Sequence, residues 1–235
     1  MIEMTQVSHQ FSIGKKGKER VVPVLHSIDF SVRKGEIVAI VGRSGSGKST
    51  LLNLLSGYIR PTSGEIKVMG RSVTTMTEGE WADFRLEHFG FMFQSFQLIP
   101  SMTAFENVEL PLVLKGIAQN KRRTKVMELL ERVGLSEYAE HYPGELSGGQ
   151  QQRVSVARAL ILQPPVVLAD EPTGSLDSEN EKQLLSLIGQ LNRETGITFV
   201  IITHDDQVAA NAHRTVTLKD GWLQDHGGHA RRAVQ

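Results

Sequence analysis

The chain contains no cysteine. Disulfides and thiolate metal sites are therefore excluded, and a reducing compartment is allowed. It carries no net charge, because 26 Lys and Arg balance 26 Asp and Glu. That balance gives no electrostatic argument for nucleic acid or an anionic membrane surface as partner. No apolar run approaches the ~18 residues that a membrane-spanning helix needs. The start, Met1-Ile2-Glu3-Met4-Thr5, has neither a basic n-region nor an apolar h-region, so it is not read as a secretory signal. There is no internal repeat and no low-complexity segment. The expectation is a protein made and kept in the cytosol, brought to a membrane, if at all, by a partner. What is present is ordinary for a globular chain. The 235 residues, 40% hydrophobic and 22% charged, suffice for one large domain or two small ones with a core that needs no staples.

The most informative stretch is Gly42-Arg43-Ser44-Gly45-Ser46-Gly47-Lys48-Ser49-Thr50. It fits the phosphate-loop pattern G-x-x-x-x-G-K-[ST] at Gly42, Gly47, Lys48 and Ser49. Before it, Ile37-Val38-Ala39-Ile40-Val41 is an apolar run of strand length. After it, Ser49 to Ser56 reads as a helix stopped by Gly57. Strand, glycine loop and helix N-terminus are the parts a triphosphate needs, since inward-pointing N–H groups and the helix end both favour an anion. Lys48 is expected to neutralise the β- and γ-phosphates, and the Ser49 hydroxyl to ligate Mg²⁺.

Residues 1–36 read as antiparallel β, from the alternation of Ile2, Met4 and Val7 and of Ile28, Phe30 and Val32. The polar stretch Gly14 to Arg20 between them reads as a solvated hairpin tip. Phe11, just before the tip, is either core or a ring for stacking on a nucleotide base. Further strands are expected over Glu65 to Met69, His88 to Phe93, Val166 to Ala169 and Ile197 to Ile202. Helices are expected over 78–87 and 178–193. From Ser95 to about Pro165 the pattern is helical, with Val126, Leu129, Leu130 and Val133 on one face and Gly134 as a stop. Asp220-Gly221 marks a hairpin. The fold class is therefore α/β, with its core split by an inserted helical block.

Two further motifs carry chemistry. The apolar run Val166 to Ala169 ends in Asp170 and Glu171. At a strand end Asp170 can reach Mg²⁺ through water, and Glu171 can act as the general base toward an attacking water. Ser147-Gly148-Gly149, followed by Gln150, opens a helix carrying Val154, Ala157, Leu160 and Ile161 on one face. That makes a second phosphate site at a helix N-terminus. One chain cannot easily wrap both glycine sites around a single γ-phosphate, so two chains are expected to lend this helix to each other.

Leu146-Ser147-Gly148-Gly149-Gln150 resembles the signature motif of the ATP-binding cassette (ABC) ATPases, and the resemblance extends from residue 1 to about 225. It implies a RecA-like P-loop NTPase core with an antiparallel β-subdomain and an inserted α-helical subdomain. One ABC ATPase domain then fills 1–225, with 1–94 and 166–225 as the core and β-subdomain and 95–165 as the helical subdomain. Residues 226–235 form a tail, expected to be disordered. Gln94 resembles the Q-loop glutamine, a Mg²⁺ and water ligand. Ser175-Leu176-Asp177 resembles the D-loop, and His204 the switch histidine that contacts the γ-phosphate. Phe11 resembles the aromatic that stacks on adenine, a phenylalanine where many relatives have tyrosine. The implied catalytic set is Glu171, His204 and Gln94. ATP would be held by Phe11, Gly42, Ser44 to Thr50, Ser147 to Gln150 and Asp177, and Mg²⁺ by Ser49, Gln94 and Asp170.

Gln97-Leu98-Ile99-Pro100, Glu106 to Leu112 and Ala169 to Asp177 resemble the macrolide-exporter and lipoprotein-releasing group. Gly14-Lys15-Lys16-Gly17, Trp81 to Leu86 and Thr203-His204-Asp205-Asp206 look closest to the Ytr-type ATPase subunit of Gram-positive bacteria. The resemblance implies hydrolysis of ATP to ADP and phosphate, coupled to a separately encoded membrane permease. The permease is expected to touch Gln94 to Pro100. The subunit is expected to dimerise with itself or a paralogue when ATP is bound, to lie on the inner face of the membrane, and to bind no nucleic acid. A cell-division or Fe–S-assembly ATPase on the same plan is the alternative.

Overall fold

The computed structural model describes residues 1–15 and 18–225. Lys16, Gly17 and the stretch 226–235 lie outside the described residues, and so does the expectation made for the tail. The chain divides into two compact units, one of Met1–Ala82 with Thr198–Gln235 and one of Asp83–Ile197.

The first unit holds β1 (Ile2–Ile13), β2 (Arg20–Val32), β3 (Ile37–Val41), α1 (Lys48–Leu55), β4 (Ser63–Val68) and β5 (Arg71–Ser72). Its C-terminal part adds β8 (Thr198–Thr203), α7 (Asp206–Asn211), β9 (Arg214–Lys219) and β10 (Trp222–Asp225). One sheet is antiparallel, in the order β2-β1-β4-β5. Its inward residues include Ile2, Met4, Val7, Leu25, Ile28, Phe30, Ile66 and Val68, all buried. Strict alternation from Ile2 and Met4 would turn Gln6, not Val7, inward. The ladder instead shifts register between Met4 and Val7, and Gln6 takes a left-handed φ of +49°. A bulge of this kind adds a residue and resets the phase, so Val7 faces the core.

The second set of strands in this unit is parallel at its centre. β3 lies between β8 and β9, with Val41 opposite both Thr203 and Thr217, and β10 returns antiparallel on β9. Every residue of β8 and all but the last of β3 are buried, which is why both read as unbroken apolar runs. Arg214 at the start of β9 bonds Glu36 and Asp225, each at 2.7 Å, and the Ser31 carbonyl. It thereby pins the entry to β3 to the exit of β10 and to β2. Burial pushes the Glu36 carboxyl up, but the hydrogen bond from Arg214, the N–H of Arg33 and the charges of both arginines together outweigh it and hold the group below its ordinary range.

In the second unit β6 (Phe89–Phe93) and β7 (Val166–Asp170) run parallel. They are joined by α3 (Ala104–Leu114), α4 (Gln119–Arg132) and α5 (Gly148–Leu160), and α6 (Ser178–Thr195) follows. α2 (Glu78–His88) leads into β6. Ala104, Val108 and Leu112, with Val126, Leu130, Val154 and Ala157, form the helical core. Their three- and four-residue spacing is what lets each helix bury one stripe. Asn107 is fully buried. Its amide donates to Ile99 O, Met102 O and Thr103 O, and its Oδ1 accepts from Ile99 N, so it pins the turn that leads into α3. Among the described residues no helix is long and apolar enough to cross a membrane.

Candidate nucleotide site

The glycine loop occupies the C-terminal end of β3, the central strand of its parallel set, and runs directly into α1. Gly42 must be glycine, because a Cβ there would come within 2.3 Å of the Leu218 carbonyl on β9. Gly47, with φ of +102°, caps α1 without a side-chain hydrogen bond, and no acid stands in the first turn of that helix. No capping side chain competes with a ligand for the N–H groups of that turn and their partial positive charge. Lys48 is buried, and its Nζ donates to Gly42 O at 2.8 Å and to Arg43 O at 3.2 Å. The loop's own carbonyls thus hold the ammonium inside its curl. Ser46 Oγ is buried with no hydrogen-bond partner, while Ser44, Gly45 and Ser49 are exposed and Thr50 half-buried. The β9–β10 hairpin also props the loop, since Gly221 N donates to Ser46 O at 3.2 Å. A buried ammonium, an uncapped helix start and an unused buried hydroxyl fit a polyphosphate.

His204 follows Thr203, which stands level with Val41 on the neighbouring strand. Its imidazole is exposed, and the next residue is fixed by the bond from Asp205 N to Thr203 Oγ1. Phe11 lies opposite Val22 on the β1–β2 hairpin. Its ring is 38% exposed, enough to offer a face. Its other contact is with His9, edge-on at 4.5 Å, and His9 is tethered to Arg60 O through Nδ1 at 3.0 Å. Leu25 and Val24 of β2 lie against Gly47, so the strand beside Phe11 also touches the phosphate loop.

The second unit gathers the remaining candidates at the C-terminal ends of its parallel strands. Phe93 is opposite Asp170, so Gln94 and Glu171 leave the two strands side by side. Glu171 is left-handed at φ +48°. Strain of this kind in a non-glycine residue collects at functional sites. A turn from Glu171 O to Gly174 N follows, and the Gln94 amide lies against Gly174. Ser147 caps α5 in a reciprocal box with Gln150: Gln150 N donates to Ser147 Oγ, and Ser147 N to Gln150 Oε1. The box uses those two N–H groups and not those of Gly148 and Gly149. A Cβ on Gly148 would lie 3.9 Å from both Ser175 O and Phe96 Cζ. Asp177 caps α6, and the Asn180 N–H and amide hold its carboxyl below the usual range.

Three contacts had no warning in the motifs. Gln152 is buried and donates to Pro172 O at 2.8 Å, tying α5 to the loop after Glu171. Asn180 leaves no room for a side chain at Gly149, where a Cβ would meet its Oδ1 at 2.0 Å. Arg158, late in α5, reaches the carbonyls of Phe96 and Gln97. One sequence signal for Arg158 was available: it is a cation flanked by Val156, Ala157, Ala159 and Leu160, on a helix whose other neighbours there are all buried.

The ABC transporter family pattern matches residues 25–174. The chain is 65% identical over 224 residues to the ABC transporter ATP-binding protein YtrE of Bacillus subtilis (strain 168), covering 95% of this chain and 97% of that one. It is 48% identical over 221 residues to the macrolide export ATP-binding/permease protein MacB of Burkholderia pseudomallei (strain K96243). That match takes in 94% of this chain but 33% of the MacB protein, so the chain spans about a third of that relative's length. A solved dimeric structure of the ATP-binding cassette MJ0796, in a post-hydrolysis state bound to ADP and Pi, aligns over the whole of both chains with a TM-score of 0.87 and 38% identity.

Proposed function

The chain belongs to the ABC transporter family, and from that premise we propose that it is the ATP-hydrolysing subunit that energises a separate membrane permease of the macrolide-exporter type. The observation that carries this reading is the phosphate loop, with Lys48 buried between the Gly42 and Arg43 carbonyls at the start of an uncapped helix. Lys48 neutralises the β- and γ-phosphates, and the loop's N–H groups bind their oxygens. Phe11 stacks on the base. Glu171 accepts the proton of the attacking water, Gln94 orients that water, and His204 contacts the γ-phosphate. Mg²⁺ bound with ATP neutralises charge on the phosphates. A hydroxyl from Ser49, an amide oxygen from Gln94 and a carboxylate from Asp170 are the hard oxygen donors such an ion takes. Ser147, Gly148, Gly149 and Gln150, with Asp177, serve the nucleotide of a second copy or of a paralogue. The subunit works as a peripheral protein on the inner face of the membrane, with Gln94 to Pro100 against the permease.

Phosphate release from the purified chain with ATP and Mg²⁺ tests the reading. Glu171→Gln should bind ATP and lose roughly 10²–10⁴-fold in turnover, the usual worth of a positioned base. Lys48→Ala should fail at binding, measured by nucleotide titration. Wild-type turnover in Glu171→Gln, or unchanged ATP affinity in Lys48→Ala, would overturn it.

A further inference from the structure

Phe96 and Gln97 take left-handed backbone angles, φ +58° and +48°. They are the only adjacent non-glycine residues among those described to do so. Each is disfavoured, because an L side chain crowds the following carbonyl there. A strained pair persists only where its surroundings over-determine it. Here the restraint is visible. Arg158 Nη1 donates to Gln97 O at 2.6 Å, and Nη2 to Phe96 O at 2.8 Å.

The guanidinium that does this is itself out of place. It is half-buried, and burial pushes its pKa down from the ordinary value. Its hydrogen bonds are the two to these carbonyls, and no carboxylate among the described residues pairs with it. A partly buried cation without an acid is costly unless strong hydrogen bonds offset the lost solvation. Two charge-assisted bonds from one planar fork do this, and a lysine, as a point charge, cannot reproduce the fork. The same segment meets α5 at its other end, where the Phe96 ring lies beside Gly148. The turn after Gln94 is therefore fastened to the last turn of the helix that begins at Ser147 and passes beside its first turn.

We propose that Arg158 is a positioning residue that clamps the Phe96–Gln97 turn onto α5, so that Gln94 and the Ser147–Gln150 helix start are held as one body. The proposal rests on the ATPase reading above and deepens it, since it names what sets the direction of Gln94. Through the clamp, a push on residues 95–100 reaches the start of α5. Its loss lowers turnover and leaves ATP capture alone, because Lys48 and Phe11 belong to the Met1–Ala82 unit.

The test uses the full chain, with Arg158→Met, Arg158→Lys, Gln97→Gly and the Arg158→Met/Gln97→Gly pair. Steady-state kinetics should give Arg158→Met a kcat about tenfold or more below wild type, the scale of a misplaced catalytic group, with KM for ATP within about twofold. Arg158→Lys should fall between the two. If Arg158→Met does not fold, Arg158→Lys decides the matter by the same criteria. Adding Gln97→Gly to either variant should recover about threefold or more, because glycine takes the left-handed angle without strain. Hydrogen exchange over residues 94–99 reads the clamp without any turnover. It should quicken by about tenfold in Arg158→Met as the local opening becomes easier. Wild-type exchange there in the variants, wild-type kcat, or a loss that Gln97→Gly does not relieve would each overturn the proposal. A wild-type protein that releases no phosphate would instead overturn the ATPase reading, and the exchange measurement would still decide the clamp.

Discussion

The amide of Gln94 lies against the bare α-carbon of Gly174, so closely that a Cβ there would stand 2.9 Å from its Nε2. Gly174 closes the turn whose first residue is Glu171. The glutamine and the acid are thus held by one short loop. Gly174 carries no positive φ, so its need for glycine comes from this close approach alone. Gly174→Ala should displace the end of a flexible side chain and little else. Stability is expected to change by less than about 1 kcal/mol, read by urea unfolding. Turnover should fall by about tenfold, the scale of a small misplacement at a reacting centre. A kcat equal to wild type would separate Gln94 from the reaction.

Phe11 is partly exposed and packs against His9 in a T-shaped contact. Phe11→Ala should weaken ATP binding by about 1–2 kcal/mol, within the range for losing one base–aromatic contact. Phe11→Tyr keeps the stacking face and should bind at least as well as wild type. Titration with a fluorescent ATP analogue distinguishes the three proteins, and equal affinities would make the ring a packing residue.

The Glu36–Arg214 pair should give stability a measurable pH dependence. The folded-state pKa of Glu36 lies below the ordinary value for a glutamate. A depressed carboxyl contributes stability that is fully present above the unfolded pKa and is lost as pH falls through the folded one. Wild type should therefore be more stable than Glu36→Gln at about pH 7, and the difference should shrink from about pH 4.5 downward. Urea midpoints at several pH values check this. A difference that is constant down to about pH 3 would assign it to packing and not to charge.

The elements were largely legible in the sequence because their signals are local. The phosphate loop is read from a buried apolar run, a glycine pattern and a helix start, and these occupy β3, residues 42–47 and α1. Gly134, expected to stop α4, does so at φ +71°. Asp170 and Glu171 were legible as a strand end because acids terminate an apolar run. What was not legible depends on chain segments far apart in sequence. The Leu218 carbonyl that forbids a side chain at Gly42 is more than 170 residues away, and no periodicity encodes it. The bulge at Gln6 is set by pairing with two neighbouring strands, so Val7 joins Ile2 and Met4 in the core as expected, but through a bulge that the sequence does not show. Arg158 belongs to none of the motifs, and its buried neighbours on α5 do not say what it bonds. Only the fold supplies the two carbonyls that make its burial tolerable.

The central claim is that this chain works as a nucleotide-joined pair, with Ser147, Gly148 and Gly149 of one copy serving the ATP of the other. Both glycine-opened helix starts, at Lys48 and at Gly148, favour the same anion, and without it two such surfaces repel. On the proposed function ATP would supply the charge that joins them, and hydrolysis followed by phosphate release would remove it. The direct measurement is gel filtration with light scattering on Glu171→Gln, in which ATP is retained. The account predicts a dimer with ATP and Mg²⁺, a monomer with ADP, and a monomer with ATP once Ser147→Arg is added, while nucleotide still binds at Lys48. A dimer that forms equally well with ADP, or that survives Ser147→Arg, would contradict it.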